Sequence, residues 1–218
     1  MRTINQDTWP RKDHFQIYNG MEFPHIGICV PIDITDLWKN RSRIGTSPTI
    51  ALVYLVTKAA NRIPEMRQRI RDGEVVEHDL VHATLAVLGE DETFGVCTLS
   101  YDANFDNFAQ EAEKILEKAK QKPSMTDFHI GPGGKIKRDD LLAITVLPWL
   151  AFTSFDLTRA PQFDSVPLLA WGKVIDQREQ FSLPFFVNFH HALVDGLHVS
   201  NFVQYVEGEA CEFAARYD

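Results

Sequence analysis

The 218-residue chain is short of several things, and each shortage removes a class of function. It has three cysteines, Cys29, Cys97 and Cys211. They are too few and too scattered for a disulfide framework or a CxxC metal site, so they read as reduced, apolar-packing thiols. There is no Lys/Arg run, and 30 acidic side chains outnumber 22 basic ones, a field that repels rather than gathers phosphate backbones. No uncharged stretch approaches the roughly 20 residues a membrane-spanning helix needs, and the opening MRTINQDTWPRKDHF lacks an apolar signal core. The reading is a soluble, cytosolic protein that binds neither nucleic acid nor membrane. Also missing are GxSxG, H-E-x-x-H and a phosphate loop: GPGGK in FHIGPGGKIKRDD lacks the GxxxxGK[ST] spacing and reads as a turn.

What is present suits one globular domain over residues 1–218, 44% apolar and 24% charged, enough to bury a sizeable core. Ser47 and Pro48 open a helix to about Asn61, whose buried face carries Ile50, Val53, Tyr54 and Thr57. DNFAQEAEKILEKAKQK predicts a second, with Phe108, Ala112, Ile115, Leu116 and Ala119 as its stripe. Strand candidates are HIGICVPID, VVEHDLVHATLAVLG, TFGVCTLSY, LLAITVLP, VPLLAWGKV and LPFFVNFHH, rich in β-branched or aromatic residues. Several of these follow one another without a helix-length crossover. The fold class is therefore α/β, a two-layer sandwich in which helices pack a mixed, mostly antiparallel sheet.

FHHALVDG, Phe189 to Gly196, sits where a strand over Leu183–His190 meets a helix over Val194–Ala214. Strand alternation sends His190 and His191 to opposite faces, which disfavours a shared metal ligand. A structural reading makes Asp195 the helix cap and the histidines satisfied core groups. A chemical reading makes one imidazole a general base, since about half or more of an unperturbed His, with a pKa of about 6.5, is unprotonated at neutral pH. With no nucleophile signature in the chain, that base would serve direct transfer without a covalent enzyme intermediate.

HHxxxDG resembles the signature of the CoA-dependent acyltransferases. TWPRKDHFQIYN, IDIT (Ile32–Thr35), DETF (Asp91–Phe94), LPW (Leu147–Trp149), FTSFDL and VPLLAWGK extend the likeness to the type A chloramphenicol acetyltransferase family over almost the whole chain. The resemblance implies that His191 is the general base, that Asp195 pairs with Arg11 to brace it, and that Thr145 stabilises the oxyanion. It implies Lys173 beside coenzyme A, acetyl-CoA as co-substrate with no permanently bound cofactor or metal, and a homotrimer with its active sites between subunits. Tyr18, Phe94, Phe155 and Leu157 match its acceptor pocket. Departures fall at Ile26, near Pro132, at Arg159 and at Ala170. They motivate an alternative acceptor, another small alcohol or amine, while a fold that keeps only binding is a further alternative.

Overall fold

The computed structural model describes residues 1–132, 135–158 and 164–217. Its strands are β1 (Arg2–Thr3), β2 (His25–Asp33), β3 (Gln68–Arg71), β4 (Glu74–Glu77), β5 (His82–Leu88), β6 (Phe94–Leu99), β7 (Leu141–Val146), β8 (Leu168–Trp171), β9 (Ile175–Gln177) and β10 (Gln180–His190). Its helices are α1 (Lys12–Tyr18), α2 (Thr35–Lys39), α3 (Pro48–Asn61), α4 (Pro64–Arg67), α5 (Phe105–Gln121) and α6 (Gly196–Ala214). The main sheet runs β2-β10-β8-β7-β5-β6, with β9 also on β10, and a small sheet runs β1-β4-β3. Pairing is antiparallel except β5 with β7 and β7 with β8. The first parallel step is the one spanned by α5, a crossover long enough to bring the chain back to the same end of the sheet.

Alternation gives the sheet two unlike faces. Leu85, Ile144, Leu169, Phe185, Val187 and Phe189 belong to the core shared with α3, α5 and α6. Their neighbours Thr84, Thr145, Ala170, Phe186 and His190 point to the other face, over which the segments around residues 125–130, 152–158 and 164–165 fold.

The sequence expectation for α3 needs a correction. Ser47 does cap it, accepting the Ile50 N–H, but Ile50 through Thr57 are all buried, not one stripe among them. A helix apolar all round belongs inside a core, and α3 lies between α5, α6 and the sheet. VVEHDLVHATLAVLG likewise divides into β4 and β5, which belong to different sheets. The charged residues between its two apolar halves are the reason. Glu77 takes Arg2 and Arg67 (2.9 and 3.1 Å), and His78 takes Asp139 (3.0 Å), so a buried ion cluster occupies the crossing. Finally, α6 starts at Gly196 because Asp195 is extended, and Val194 still belongs to the turn.

Candidate active site

His191 immediately follows β10. A carbonyl oxygen can only accept, so the 2.9 Å contact between its Nδ1 and the Val194 carbonyl puts the hydrogen on Nδ1. In the neutral ring Nε2 then carries the lone pair, the arrangement a general base needs. The imidazole is clamped between rings: Tyr18 lies 4.1 Å away and Phe189 6.5 Å, centroid to centroid.

Behind it stands an ion pair. Arg11 donates to Asp195 Oδ2 at 2.6 Å and, through its other terminal nitrogen, to the His191 carbonyl at 3.0 Å. One guanidinium thus ties the His191 backbone to the start of α6. Asp195 also caps α6 by accepting from Leu197 N–H (3.1 Å), while its backbone N–H donates to His198 Nδ1 (3.1 Å). His198 Nε2 in turn lies 3.6 Å from Glu65. The cap and the ion pair, alternatives when only the sequence is read, coexist on the two carboxylate oxygens. Burial works against the Asp195 carboxylate, but the Arg11 hydrogen bond and charge, with the Leu197 N–H, outweigh it and hold the group below its ordinary value. Sequence reasoning missed Glu65 and weighed His198 only as a metal ligand beside His191 and Asp195, since the usual capping box has Glu or Gln at the position His198 fills.

Thr145 is elsewhere. It lies on the face of β7 away from the helices and lines a cavity of about 430 Å³ with Phe94, Phe128, Ile144 and Leu157. His191, Asp195, Arg11 and Tyr18 do not line that cavity. Ala170, fully buried, sits beside Thr145 in the sheet, and Phe155 packs on Phe186 at 5.3 Å in the next strand. Ile26 falls with the other group, paired across strands with Phe189. Lys173 is exposed, and its backbone N–H holds Leu150 O at 2.7 Å, beside the exposed Trp149. Pro132 lies between the two residues of the Ile130–Ile136 bridge, whereas Arg159 lies outside the described residues. The site residues named from the sequence therefore form two clusters, one around His191 and one around Thr145. The second holds a polar pair that sequence reasoning did not single out, His129 and Asp164, both almost fully buried. Among the described residues no group of three or more His, Cys, Asp or Glu is placed to hold a metal ion, and no helix is long and apolar enough to cross a membrane.

Comparison with known proteins gives this geometry a context. A family model described as "CAT: Chloramphenicol acetyltransferase" matches residues 1–207. The chain is 29% identical to chloramphenicol acetyltransferase 3 of Escherichia coli over 205 residues, 93% of each protein. A solved chloramphenicol acetyltransferase superposes with a TM-score of 0.84 at 29% identity, covering 95% of this chain and 98% of that one. A dihydrolipoamide acetyltransferase of Azotobacter vinelandii, 18% identical with a TM-score of 0.68 over 93% of this chain and 87% of its own, shares the fold.

Proposed function

The chain belongs to the chloramphenicol acetyltransferase family, and from that premise we propose that it is a soluble, single-domain O-acetyltransferase of the cytosol, moving acetyl from acetyl-CoA to a hydroxyl of chloramphenicol and so inactivating the antibiotic. The observation that carries the reading is the His191 tautomer: a ring whose Nδ1–H is spent on Val194 offers Nε2 to a hydroxyl proton.

Nε2 takes that proton as the oxygen attacks the thioester carbonyl carbon. Thr145 donates to the oxygen that becomes negative, a role any aimed hydroxyl fills. The tetrahedral species then expels sulfur, and the imidazolium returns its proton to give free CoA thiol and the acetyl ester. Arg11 and Asp195 act from behind, holding the imidazole's backbone and the helix start in register. Lys173, beside exposed Trp149 and Leu150, is suited to meet coenzyme A phosphate charge.

Base and oxyanion donor each work within about 3 Å of one reacting centre. Yet Thr145 pairs with Ala170, Ala170 pairs with Phe186, and His191 lies five residues beyond Phe186. Two strand spacings and five strand residues separate the two Cα atoms by about 19 Å. This supports a site completed by a second copy, His191 of one subunit meeting the Thr145 cavity of the next. Such a head-to-tail contact closes into a ring, in keeping with a homotrimer. Exposed apolar side chains lie beside both clusters, Ile17, Phe23 and Leu197 near His191, and Phe94, Met125 and Trp149 near the cavity or the Lys173 edge; a partner surface would cover them.

The test is thiol release from acetyl-CoA in the presence of chloramphenicol. The expected result is saturable turnover that His191→Ala lowers by about 100- to 10,000-fold. Release no faster than without enzyme would overturn the acceptor assignment. Turnover unaffected by the substitution would overturn the mechanism. The second reading, transfer to a different small alcohol or amine, is favoured by the buried polar pair His129 and Asp164 bordering a mostly apolar cavity.

A further inference from the structure

The peptide unit joining Val194 to Asp195 lies between two imidazoles. Its carbonyl takes the Nδ1 hydrogen of His191 at 2.9 Å, and its N–H, on Asp195, meets His198 Nδ1 at 3.1 Å. A peptide unit is planar with C=O and N–H directed oppositely, so whatever holds the hydrogen end also aims the oxygen end. The residues before it are fixed by the turn after β10, where the Leu193 and Val194 N–H groups both reach His190 O, at 3.0 and 3.2 Å. The residue after it is extended (φ −133°, ψ −177°) and opens α6. What remains to be set is the rotation of this one plane, and the His198 contact sets it.

The contact depends on where the His198 hydrogen sits. A backbone N–H can only donate, so the Nδ1 facing it keeps its lone pair, and the neutral ring then carries its hydrogen on Nε2. Nδ1 also lies 2.8 Å from Asp195 Oδ1. A carboxylate has no hydrogen to give, so a hydrogen on Nδ1 would turn to that oxygen and leave the peptide N–H unheld. The charges on either side of the ring decide between the two. The Asp195 charge is offset by Arg11, 2.6 Å from Oδ2, and Oδ1 already accepts the Leu197 N–H at 3.1 Å. On the Nε2 side Glu65 of α4 stands 3.6 Å away, and His198 is its ion-pair partner among the described residues. That distance is too long for a direct hydrogen bond, yet a carboxylate at this range favours the tautomer that turns its N–H toward it.

We infer that His198, with its hydrogen directed to Glu65, is a positioning residue for acetyl transfer: it fixes the peptide between Val194 and Asp195 so that the Val194 carbonyl keeps the hydrogen of His191 on Nδ1 and leaves Nε2 free to take a proton. The inference rests on the proposed role of His191 as base and extends it. Without an aimed carbonyl nothing keeps the hydrogen off Nε2, and a ring carrying Nε2–H cannot accept the hydroxyl proton. Charge on Glu65 polarises the His198 ring, the ring polarises the peptide, and the peptide polarises the His191 N–H. His198 acts through other groups, so its effect falls on the rate of transfer and not on binding. Arg11 holds the His191 backbone, and His198 governs its ring.

The experiment compares the wild type with His198→Ala, His198→Gln and Glu65→Gln in turnover of acetyl-CoA with chloramphenicol, beside the melting temperature of each. His198→Ala is expected to lower kcat by about tenfold or more while both KM values stay within about twofold. His198→Gln, whose amide oxygen can accept the Asp195 N–H as in the usual capping box, should recover most of that loss. Glu65→Gln keeps the side-chain shape and leaves the cap in place, and should lower kcat by about threefold at an unchanged melting temperature. A purely structural cap would give a lower melting temperature for His198→Ala with kcat intact. That result overturns the inference, as does a loss confined to KM or a Glu65→Gln enzyme as fast as the wild type. Imidazole ¹⁵N spectra test the same claim without turnover. At about pH 8.5, where an ordinary imidazole is neutral, wild-type resonances assigned by their loss in His191→Ala and His198→Gln should show hydrogen on Nδ1 of His191 and on Nε2 of His198. A hydrogen on His198 Nδ1 overturns the inference, as does a His191 pattern unmoved in His198→Ala. Should His198→Ala fail to fold, Glu65→Gln and the wild-type spectrum still decide. If chloramphenicol is not acetylated at all, the acceptor assignment fails by itself, and the spectra still decide whether His198 sets the His191 tautomer.

Discussion

Asp195 shows how one side chain serves two structural needs, and its titration makes this measurable. Its carboxyl is held below the ordinary value in the folded chain, so the folded state binds fewer protons than the unfolded one. The resulting stabilisation is complete above the unfolded carboxyl range, about pH 4 to 5, and is lost as pH falls through the folded-state value. Asp195→Asn keeps an N-cap acceptor but discards the charge. Melting temperatures measured from pH 7 to pH 3 should therefore fall less steeply on acidification for Asp195→Asn than for the wild type, and at pH 7 the variant should start lower. Parallel curves would show that the Arg11 pair adds nothing to stability. The sequence made Asp195 legible as a cap, since Asp followed by Gly before an apolar run is a helix-start signal. Arg11 was reachable only through family resemblance, because nothing local links residues 184 positions apart. His129 was not legible at all: it sits in a loop without periodicity, and its burial depends on the chain folding back beneath the sheet.

Among elements, the edge strand β6 governs the cavity lined by Thr145 from behind. Gly95 lies where a Cβ would collide with the Ser124 backbone nitrogen and stand 2.9 Å from Pro123 Cα. That close approach lets Val96 N–H reach Ser124 O at 2.7 Å and Thr98 N–H reach Asp127 Oδ2 at 3.1 Å, so a loop covers the sheet edge. The same loop carries Met125 and Phe128 into the cavity wall. Gly95→Ala should cost about 1–3 kcal/mol by overpacking and raise the acceptor KM more than it lowers kcat, as steady-state kinetics and denaturant titration would reveal. Elements with a clear period were readable: β2 spans His25–Asp33 as expected, and α5 differs by one residue at each end. Short pieces such as β1, β3, β9, α2 and α4 were not, since two to five residues cannot display a period, and tertiary pairing defines them. α3 misled in a different way. Its pattern was read as one stripe, but its helical surface meets protein on every side.

At the scale of the assembly, the separation of His191 from Thr145 yields a mixing experiment. Subunits carrying His191→Ala and subunits carrying Thr145→Ala are each expected to be nearly inactive. Unfolded together in equal amounts and refolded, they should regain about a quarter of the wild-type sites if each site in a three-membered ring takes its histidine from one copy and its threonine from the next. No recovery in properly reassembled mixed rings would mean that one chain supplies both groups. What the sequence conveyed at this scale came from resemblance; a contact between copies leaves only scattered exposed apolar residues in a single chain, and those look like ordinary surface.

The bond between Arg11 and Asp195 also has a temporal side. Arg11 must wait for Asp195, made 184 positions later, before the two can pair. Until Asp195 has emerged and folded back against the start of α1, the guanidinium has no carboxylate to grip, so anchorage of the His191 imidazole comes late in the making of this segment.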